Sequence, residues 1–309
     1  MYSRTKRQRV FQMKIGIVTV TFNSANVWID FINSIKNQSY QDFVLYIIDN
    51  DSKDETLSEV KEAKISQQVL IENSSNLGIA AANNQGIKLA INDGCEFVLL
   101  LNNDTVFESE LLKKLLDAHY KYGSSMISPK MNYFDQPDVI WFAGGFYNYK
   151  KALLNYHRGQ HQKDVNQYNK SDVIHYAPTC CALIHKTVFE DVGIMDEKYF
   201  VYFDDSDFFY RVFKHGRHEM RFVPDVHFLH KIGSLTQSRK NQFYSPFFIQ
   251  QMTKNHVYFL RKQKNLLTSL LTIYLWFFVT IKFFLKSNYE KNWSTFILIQ
   301  KSYFKGFKI

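Results

Sequence analysis

Four apolar runs, at 15–20, 43–48, 69–72 and 97–101, each stop abruptly at polar residues, and a segment of helical character separates each from the next. Continuous aliphatic and β-branched runs read as strands buried on both faces, the kind found inside parallel sheets. Strand–helix alternation sustained over about ninety residues predicts an α/β fold with a doubly wound, mostly parallel sheet. In such a sheet the carboxyl ends of the strands share one edge, and ligands bind there. Thr21-Phe22-Asn23-Ser24, Asp49-Asn50-Asp51-Ser52 and Asn102-Asn103-Asp104 would then meet in one polar site.

The run Phe97-Val98-Leu99-Leu100-Leu101 followed by Asn102-Asn103-Asp104 is the most informative of these ends. A carboxylate placed there suits a divalent cation that also grips phosphate oxygens, because Mg²⁺ is usually held by one or two carboxylates plus substrate phosphates. The alternative is that Asn-Asn-Asp makes a turn or caps a helix at 108–119. No Gly-x-Gly-x-x-Gly follows the first run, and no Gly-x-x-x-x-Gly-Lys-Ser/Thr occurs. A standard dinucleotide fold and a P-loop NTPase are therefore disfavoured, and a nucleotide would be held by side chains and a metal ion.

Beyond residue 125 the pattern is mixed. Trp141-Phe142-Ala143-Gly144-Gly145 reads as a turn-rich link, the polar stretch 158–171 as a mobile loop, and 175–185 recovers strand character. An aromatic run then meets Asp204-Asp205-Ser206-Asp207, three carboxylates in four residues. A helix starting near Asp204 would put Asp204 and Asp207 on one face and turn Asp205 elsewhere. Acids also simply favour a helix N-terminus. His230 ends another short apolar run at 226–229. A lone histidine is more often structural than a ligand, but this one again sits at a strand end.

The net charge of +9 conceals a division: 231–309 holds 13 Lys/Arg against Glu290 alone, residues 1–14 add five more cations, and the middle is acidic. An acidic body with basic ends argues against nucleic acid as partner. A cationic, aromatic C-terminal segment fits a membrane surface better. Residues 266–281 carry no charge between basic flanks, short of the ~20 residues a span needs, and suit a helix lying in the interface. Thr268, Ser269, Thr272, Thr280 and Lys282 cluster on one side of its helical wheel. Cys95, Cys180 and Cys181 show no metal spacing and point to a reduced, cytoplasmic setting. The basic start lacks an apolar stretch after it, so no signal peptide is expected; 1–12 reads as a disordered extension, with Met13 a second possible start.

Taken in order, Val-Thr-Phe-Asn (20–23), Ile-Asp-Asn-Asp-Ser-Lys-Asp (48–54), Asn-Leu-Gly-Ile-Ala-Ala-Ala-Asn-Asn-Gln-Gly (76–86) and Leu-Leu-Asn-Asn-Asp-Thr (100–105) resemble the family-2 inverting glycosyltransferases, in their rhamnosyltransferase-like branch. Val-Gly-Ile-Met-Asp-Glu-Lys-Tyr-Phe-Val-Tyr-Phe-Asp-Asp-Ser-Asp (192–207), Arg211, Gly216, His230 and Ser234 continue the match. The resemblance spans roughly 14–262, and several blocks in order are far more specific than any one alone. It implies a GT-A fold over 13–262, with a nucleotide-binding half and a mixed acceptor half, and leaves 263–309 as a membrane-associating helical tail.

The resemblance also assigns roles. Thr21, Asn23, Asp49 and Asn50 would line the nucleoside pocket, and Asn76, Gly78 and Asn84 would shape the floor beneath the diphosphate. Asn102-Asn103-Asp104 stands at the family's Asp-x-Asp position, which makes Asp104 a ligand of Mg²⁺ or Mn²⁺, with His230 completing the coordination. Asp205 matches the general base; the preceding residue, usually Glu, is Asp204 here. The implied activity moves a sugar from a nucleotide-diphosphate donor, dTDP-rhamnose or a UDP-hexose, to a glycan hydroxyl. The acceptor would be lipid-linked, in cell-surface polysaccharide synthesis at the inner face of the cell membrane. The alternatives are a nucleotidyltransferase, whose basic glycine-rich triphosphate loop is not visible after Val20, and a catalytically silent glycan-binding protein on the membrane.

Overall fold

The apolar runs fold as their composition dictates. A computed structural model describes residues 13–231, 239–240 and 243–309. The extension expected at 1–12, and Ser234, lie outside the described residues. Strands β1 (Ile15–Thr21), β2 (Phe43–Asp49), β3 (Gln68–Glu72) and β4 (Phe97–Leu101) alternate with helices α1 (Ala25–Lys36), α2 (Thr56–Glu62) and α3 (Ile79–Asn92). They pair in parallel in the order β3-β2-β1-β4. All five residues of β4 are buried, each apolar side chain worth about 1.5–3 kcal/mol of transfer energy. Gly86 lets α3 press onto β1, because a Cβ there would stand 2.4 Å from Val18 Cγ1.

After β4 the chain departs from the expected helix at 108–119. A three-residue strand, β5 (Thr105–Phe107), comes first, and helix α4 (Leu111–Tyr122) starts only after it. Asn102-Asn103-Asp104 is thus a turn between two strands and caps no helix. Strand β6 (Met126–Pro129) continues the large sheet, while β7 (Met131–Tyr133) and β8 (Ile140–Phe142) build a second one. Strands β9 (Gly145–Asn148) and β10 (Leu154–His157) form a hairpin. Residues 141–145, expected as a link, are therefore largely strand, their pleat hidden from sequence by the two glycines.

Strand β11 (Asp172–Ile174) stands at the sheet edge, and β12 (Cys181–His185) leads into helix α5 (Lys186–Val192). Helix α6 (Asp204–His215) is followed by β13 (Met220–Val223) and β14 (Phe228–His230). The large sheet has eight strands in the order β11-β13-β6-β12-β4-β1-β2-β3, and β12 runs antiparallel to both its neighbours. The parallel half thus passes into a mixed half at β12. The smaller sheet is ordered β5-β14-β7-β8. The polar stretch 158–171 is irregular, as its composition demands, but it is tied down. Asp164 pairs with Lys130 at 2.7 Å, Ile140 N donates to Gln162 O, and Arg158 donates to Asp172 at 2.6 Å.

Two short strands, β15 (Arg239–Lys240) and β16 (Phe243–Tyr244), precede three C-terminal helices, α7 (Pro246–Lys262), α8 (Leu266–Leu285) and α9 (Trp293–Lys305). Ser245, Asn265 and Asn292 cap them by accepting from backbone N–H groups three residues on. Leu275 of α8 and Tyr303 of α9 belong to the same hydrophobic cluster as the large sheet, so the tail packs against the body.

Candidate active site

The carboxyl ends of β1, β2 and β4 gather the polar residues, and hydrogen bonds fix them there. Thr21 Oγ1 donates to Asp49 Oδ1 at 2.8 Å, and Ser52 donates to the same carboxylate from both its N–H and its hydroxyl. Thr21 and Asp49 have no exposed surface, so they brace this edge from within. Asn50 Nδ2 donates to Gly78 O, and Asn76 Oδ1 accepts from Gly78 N at 2.9 Å. Gly78 has φ +85°, and a Cβ would stand 2.4 Å from Phe200 O, so only glycine fits. Asn23, exposed and left-handed at φ 51°, accepts from Lys53 N. Asn84 is buried and holds the 195–197 segment through Met195 N, Met195 O and Glu197. That makes it a tether between the two halves.

Beside this edge lies a cavity of about 410 Å³, whose lining includes Asn102, Asp104, Trp141, Asp204, Asp205 and His230. Thr21, Asn23, Asp49, Asn50, Asn76, Gly78 and Asn84 are not among its lining residues. Asn103 pins the turn that carries Asp104, donating to Val20 O at 3.0 Å and to Ser24 Oγ. Thr105 Oγ1 closes the turn onto Asn102 O at 2.6 Å. Strand β14 pairs antiparallel with β5 in a register that sets His230 opposite Thr105. His230 Nε2 therefore lies 3.2 Å from Asp104 Oδ1. Adjacent ligands on an octahedral ion with ~2.1 Å bonds stand about 3.0 Å apart, so the pair fits two positions of a Mg²⁺-type site. His230 Nδ1 is buried with no hydrogen-bond partner among the described residues, and Trp141 meets the ring edge-on at 4.4 Å. Asp191, His215 and His218 also bring ligand atoms together, but there Arg217 pairs with Asp191 at 2.9 Å.

The opposite wall comes from the start of α6. Tyr202 and Phe203 both take left-handed backbone, φ 65° and 69°, immediately before Asp204. Two consecutive aromatic residues in that region are strained and persist only where the surroundings hold them. Here Asn255 of α7, fully buried, donates through Nδ2 to Val201 O and Tyr202 O, each at 2.9 Å. The turn aims both Asp204 and Asp205 into the cavity. Asp207, expected to share a face with Asp204, is instead sealed in the core. Arg211 at 2.9 Å and Lys262 at 2.8 Å neutralise it. Its role is structural.

Asp204 and Asp205 differ in their partners. Asp205 Oδ2 accepts from Tyr176 Oη–H at 2.6 Å, and Oδ1 accepts from Ser206 N at 2.6 Å and Ser206 Oγ at 3.1 Å. Burial pushes the Asp205 carboxyl above the usual range, and those donors pull back toward the ionised form. Burial and the neighbouring Asp205 charge drive Asp204 well above its ordinary value, against only backbone donors. Asp204 is thus the more strongly raised of the pair, and Asp205 the one whose donors favour the carboxylate. Burial and the Asp205 charge also hold the Tyr176 phenol well above its ordinary value, so it remains a donor. Burial lowers His157 to about 4, leaving a neutral imidazole in the wall.

Tyr176, Trp141 and His157 carry no sequence signal for this site: Trp141 and His157 stand in the short strands β8 and β10, and Tyr176 lies just beyond β11, so their residue types say nothing of the cavity. Only their neighbours in space mark them. Cys180 also lines the cavity, with its thiol pushed well up by burial.

Comparison with known proteins agrees with this geometry. The family model described as "Glycosyl transferase family 2" matches residues 16–193. The dTDP-rhamnosyl transferase RfbF of Shigella flexneri is 27% identical over 220 residues, covering 71% of this chain and 69% of that protein. The low-salt glycan biosynthesis hexosyltransferase Agl10 of Haloferax volcanii is 28% identical over 150 residues, 46% of this chain and 45% of its own. Among solved structures, S. aureus TarS 1–349 in complex with UDP-GlcNAc superposes with a TM-score of 0.61 at 16% identity, over 95% of this chain and 81% of that one. GalNAc-T7 with UDP, GalNAc and Mn²⁺ superposes with a TM-score of 0.65 at 12% identity, over 94% of this chain and 54% of that one. The sheet, the strand-end site and the match over 16–193 lead to one statement: the chain belongs to glycosyl transferase family 2, is a glycosyltransferase of GT-A fold, and has rhamnosyltransferase-like relatives.

Proposed function

We propose that the protein is a metal-dependent inverting transferase that moves a sugar from a nucleotide-diphosphate donor to a glycan hydroxyl. The observation that carries this reading is one cavity holding the Asp104–His230 pair on one wall and a half-buried, donor-held Asp205 on another. In an inverting displacement the acceptor oxygen attacks the anomeric carbon, the bond from that carbon to the diphosphate oxygen breaks, and the acceptor hydroxyl loses its proton. Asp205 takes the proton; Tyr176 and Ser206 keep its carboxylate oriented and charged until then. Asp104 and His230 would hold Mg²⁺ or Mn²⁺, and a bound cation offsets the charge developing on the departing diphosphate. No nucleophilic side chain is needed.

Asn23 and Asn50 present the nucleoside edge, braced by Thr21 and Asp49. Asn76 and Gly78 form the floor beneath the diphosphate, Asn84 fixes that floor to the acceptor half, and Asn102 flanks Asp104. The donor is dTDP-rhamnose or a UDP-hexose. Support for the first comes from the printed activity of RfbF, and for the second from the UDP sugar bound in the TarS structure. The acceptor is a glycan, lipid-linked, in cell-surface polysaccharide synthesis, and the protein works peripherally on the cytoplasmic face of the membrane.

The test is a panel of nucleotide sugars screened with Mg²⁺ or Mn²⁺ for thermal stabilisation and donor hydrolysis. Asp205→Asn should lower kcat by about 10²–10⁴ with donor affinity nearly unchanged. Asp104→Ala should abolish metal-dependent donor binding while the protein stays folded. Transfer within a few-fold of wild type by Asp205→Asn would show the base to be misassigned.

A further inference from the structure

Helix α8 inverts the usual amphipathic arrangement. Leu266, Leu270, Ile273, Phe277, Ile281 and Phe284 are all exposed. At 100° per residue they fall within an arc of roughly 80°, a stripe running the ~30 Å length of the helix. The hydroxyl-bearing side faces inward instead. Thr268 and Thr272 are buried, and Thr272 Oγ1 donates to Thr268 O at 2.8 Å. Helix α9 is bonded along this inner face. Tyr303 Oη donates to Thr272 O at 2.8 Å, Trp276 Nε1 to Gln300 Oε1 at 2.7 Å, and Gln300 Nε2 to Thr280 Oγ1 at 3.1 Å. A soluble helix buries its apolar stripe and shows its hydroxyls; α8 buries Thr268 and Thr272 beside Leu275 and Phe283 and leaves its longest apolar stripe in the open.

By length and composition α8 could cross a bilayer, but its partners forbid it. A crossing α8 would have to take α9 with it or shed these bonds. Helix α9 has 13 residues, against ~20 for a span, and carries Lys301 and Lys305. A second copy of the chain is an equally poor cover. Residues 231–309 carry 13 Lys/Arg and one acid, and self-pairing would set this excess against itself. Anionic headgroups complement it, and exposed Trp293 suits the headgroup level.

We propose that α8 is an in-plane anchor: it lies along an anionic bilayer surface with the Leu266–Phe284 stripe immersed and its threonine face on the protein, and it does not cross. This rests on the membrane-facing part of the function proposed above and specifies how that contact is made. Because the stripe is already exposed, polar substitutions on it leave the packing intact.

The experiment uses the full chain with phosphatidylcholine–phosphatidylglycerol vesicles. Wild type should cosediment, far less so with phosphatidylcholine alone or in high salt. Ile273→Ser and Phe277→Ser should each weaken partitioning roughly tenfold, with unchanged melting temperature. The native cysteines Cys95, Cys180 and Cys181 are all buried, so Ser287→Cys reports alone. A membrane-impermeant maleimide added outside vesicle-bound protein should label it fully. Protection of Cys at 287 would mean that α8 crosses and would overturn the proposal. So would failure to cosediment together with a concentration-dependent dimer that Phe277→Ser dissolves, or equal binding to uncharged vesicles. Donor hydrolysis without vesicles separates the two readings: its absence refutes glycosyl transfer and leaves the docking result standing.

Discussion

Removing one amide far from the reacting atoms should disarm the general base proposed at Asp205. Asn255 lies on α7, yet its two donated hydrogen bonds are what hold the left-handed Tyr202–Phe203 turn ahead of Asp204 and Asp205. Each such hydrogen bond is worth about 0.5–1.5 kcal/mol net, and a carbonyl left buried without a donor costs roughly 1–3 kcal/mol. Asn255→Ala should therefore cost about 2–4 kcal/mol. That is comparable to the ~1–3 kcal/mol of strain stored at each left-handed residue, so the turn will relax. A displacement of about 1 Å at a catalytic group typically costs ~10²-fold in rate. The variant should show kcat lowered about 100-fold and a melting temperature lowered by roughly 4–8 °C, scaling at ~2 °C per kcal/mol for a chain of this size. Donor affinity should stay within about twofold, since Asp104 and His230 sit on other elements. The assay pairs single-turnover transfer with a donor-binding isotherm. Asn255→Asp is the control that separates hydrogen bonding from packing: it has the same shape, but an ionised carboxylate donates nothing, so it should fail at least as badly. If Asn255→Ala melted early yet kept kcat within threefold, the turn would not be what aims the carboxylates.

Two other outcomes follow from the buried titratable groups. Tyr176→Phe removes the donor to Asp205 Oδ2, one of the contacts that pulls this carboxyl down. The folded pKa then rises, and the acid limb of the kcat–pH profile should move to higher pH with KM for donor unchanged; a profile that stays in place would count against Asp205 as the ionising group. His157, half-buried, and His256, buried, are neutral, each pushed from 6.5 down to about 4 by desolvation. Depressed values mean that their contribution is present above pH 6.5 and lost as pH falls toward 4, about 3 kcal/mol for each. The raised acids Asp204 and Asp205 act with the opposite sign, so the measurement is differential. His256→Gln, which keeps a donor for Ala152 O, should flatten the fall in urea midpoint between pH 6.5 and 4 relative to wild type.

What sequence could and could not convey divides along physical lines. Strands β1, β2 and β4 were legible because burial on both faces writes an uninterrupted apolar run, and their ends are read correctly within a residue. Strand β5 was not legible: three residues are too few for any period, and the helix expected from 108 begins only at Leu111. The two glycines at 144–145 disguised the end of β8 and the start of β9 as a link. Within the site, Asp104, His230 and Asp205 stood out through the order of motif blocks. Tyr176 and Asn255 could not, since each acts through hydrogen bonds to residues distant in sequence. Asp207 looked like a sibling of Asp204 on the helical wheel, but the wheel cannot show that Arg211 and Lys262 reach it first. The threonines of α8 likewise look outward-facing by polarity. Their hydroxyls bond to carbonyls of their own helix or to Gln300, which frees that face to pack.

The pairing of β5 with β14 also bears on the order in which the molecule assembles. Asp104 precedes β5 directly, whereas His230 ends β14, and the two meet only through an antiparallel register that Lys231 N seals by donating to Asp104 O at 2.8 Å. A slip of one residue would turn the imidazole to the opposite side of the sheet. Contacts between segments so distant along the chain must wait for loop closure, which slows their formation. The Asp104–His230 pair is thus a late product of folding, formed after the parallel strands are in place, and a cation held as proposed would find no complete pair to grip in the nascent chain. Chelators should accordingly silence the folded enzyme and leave its refolding rate untouched.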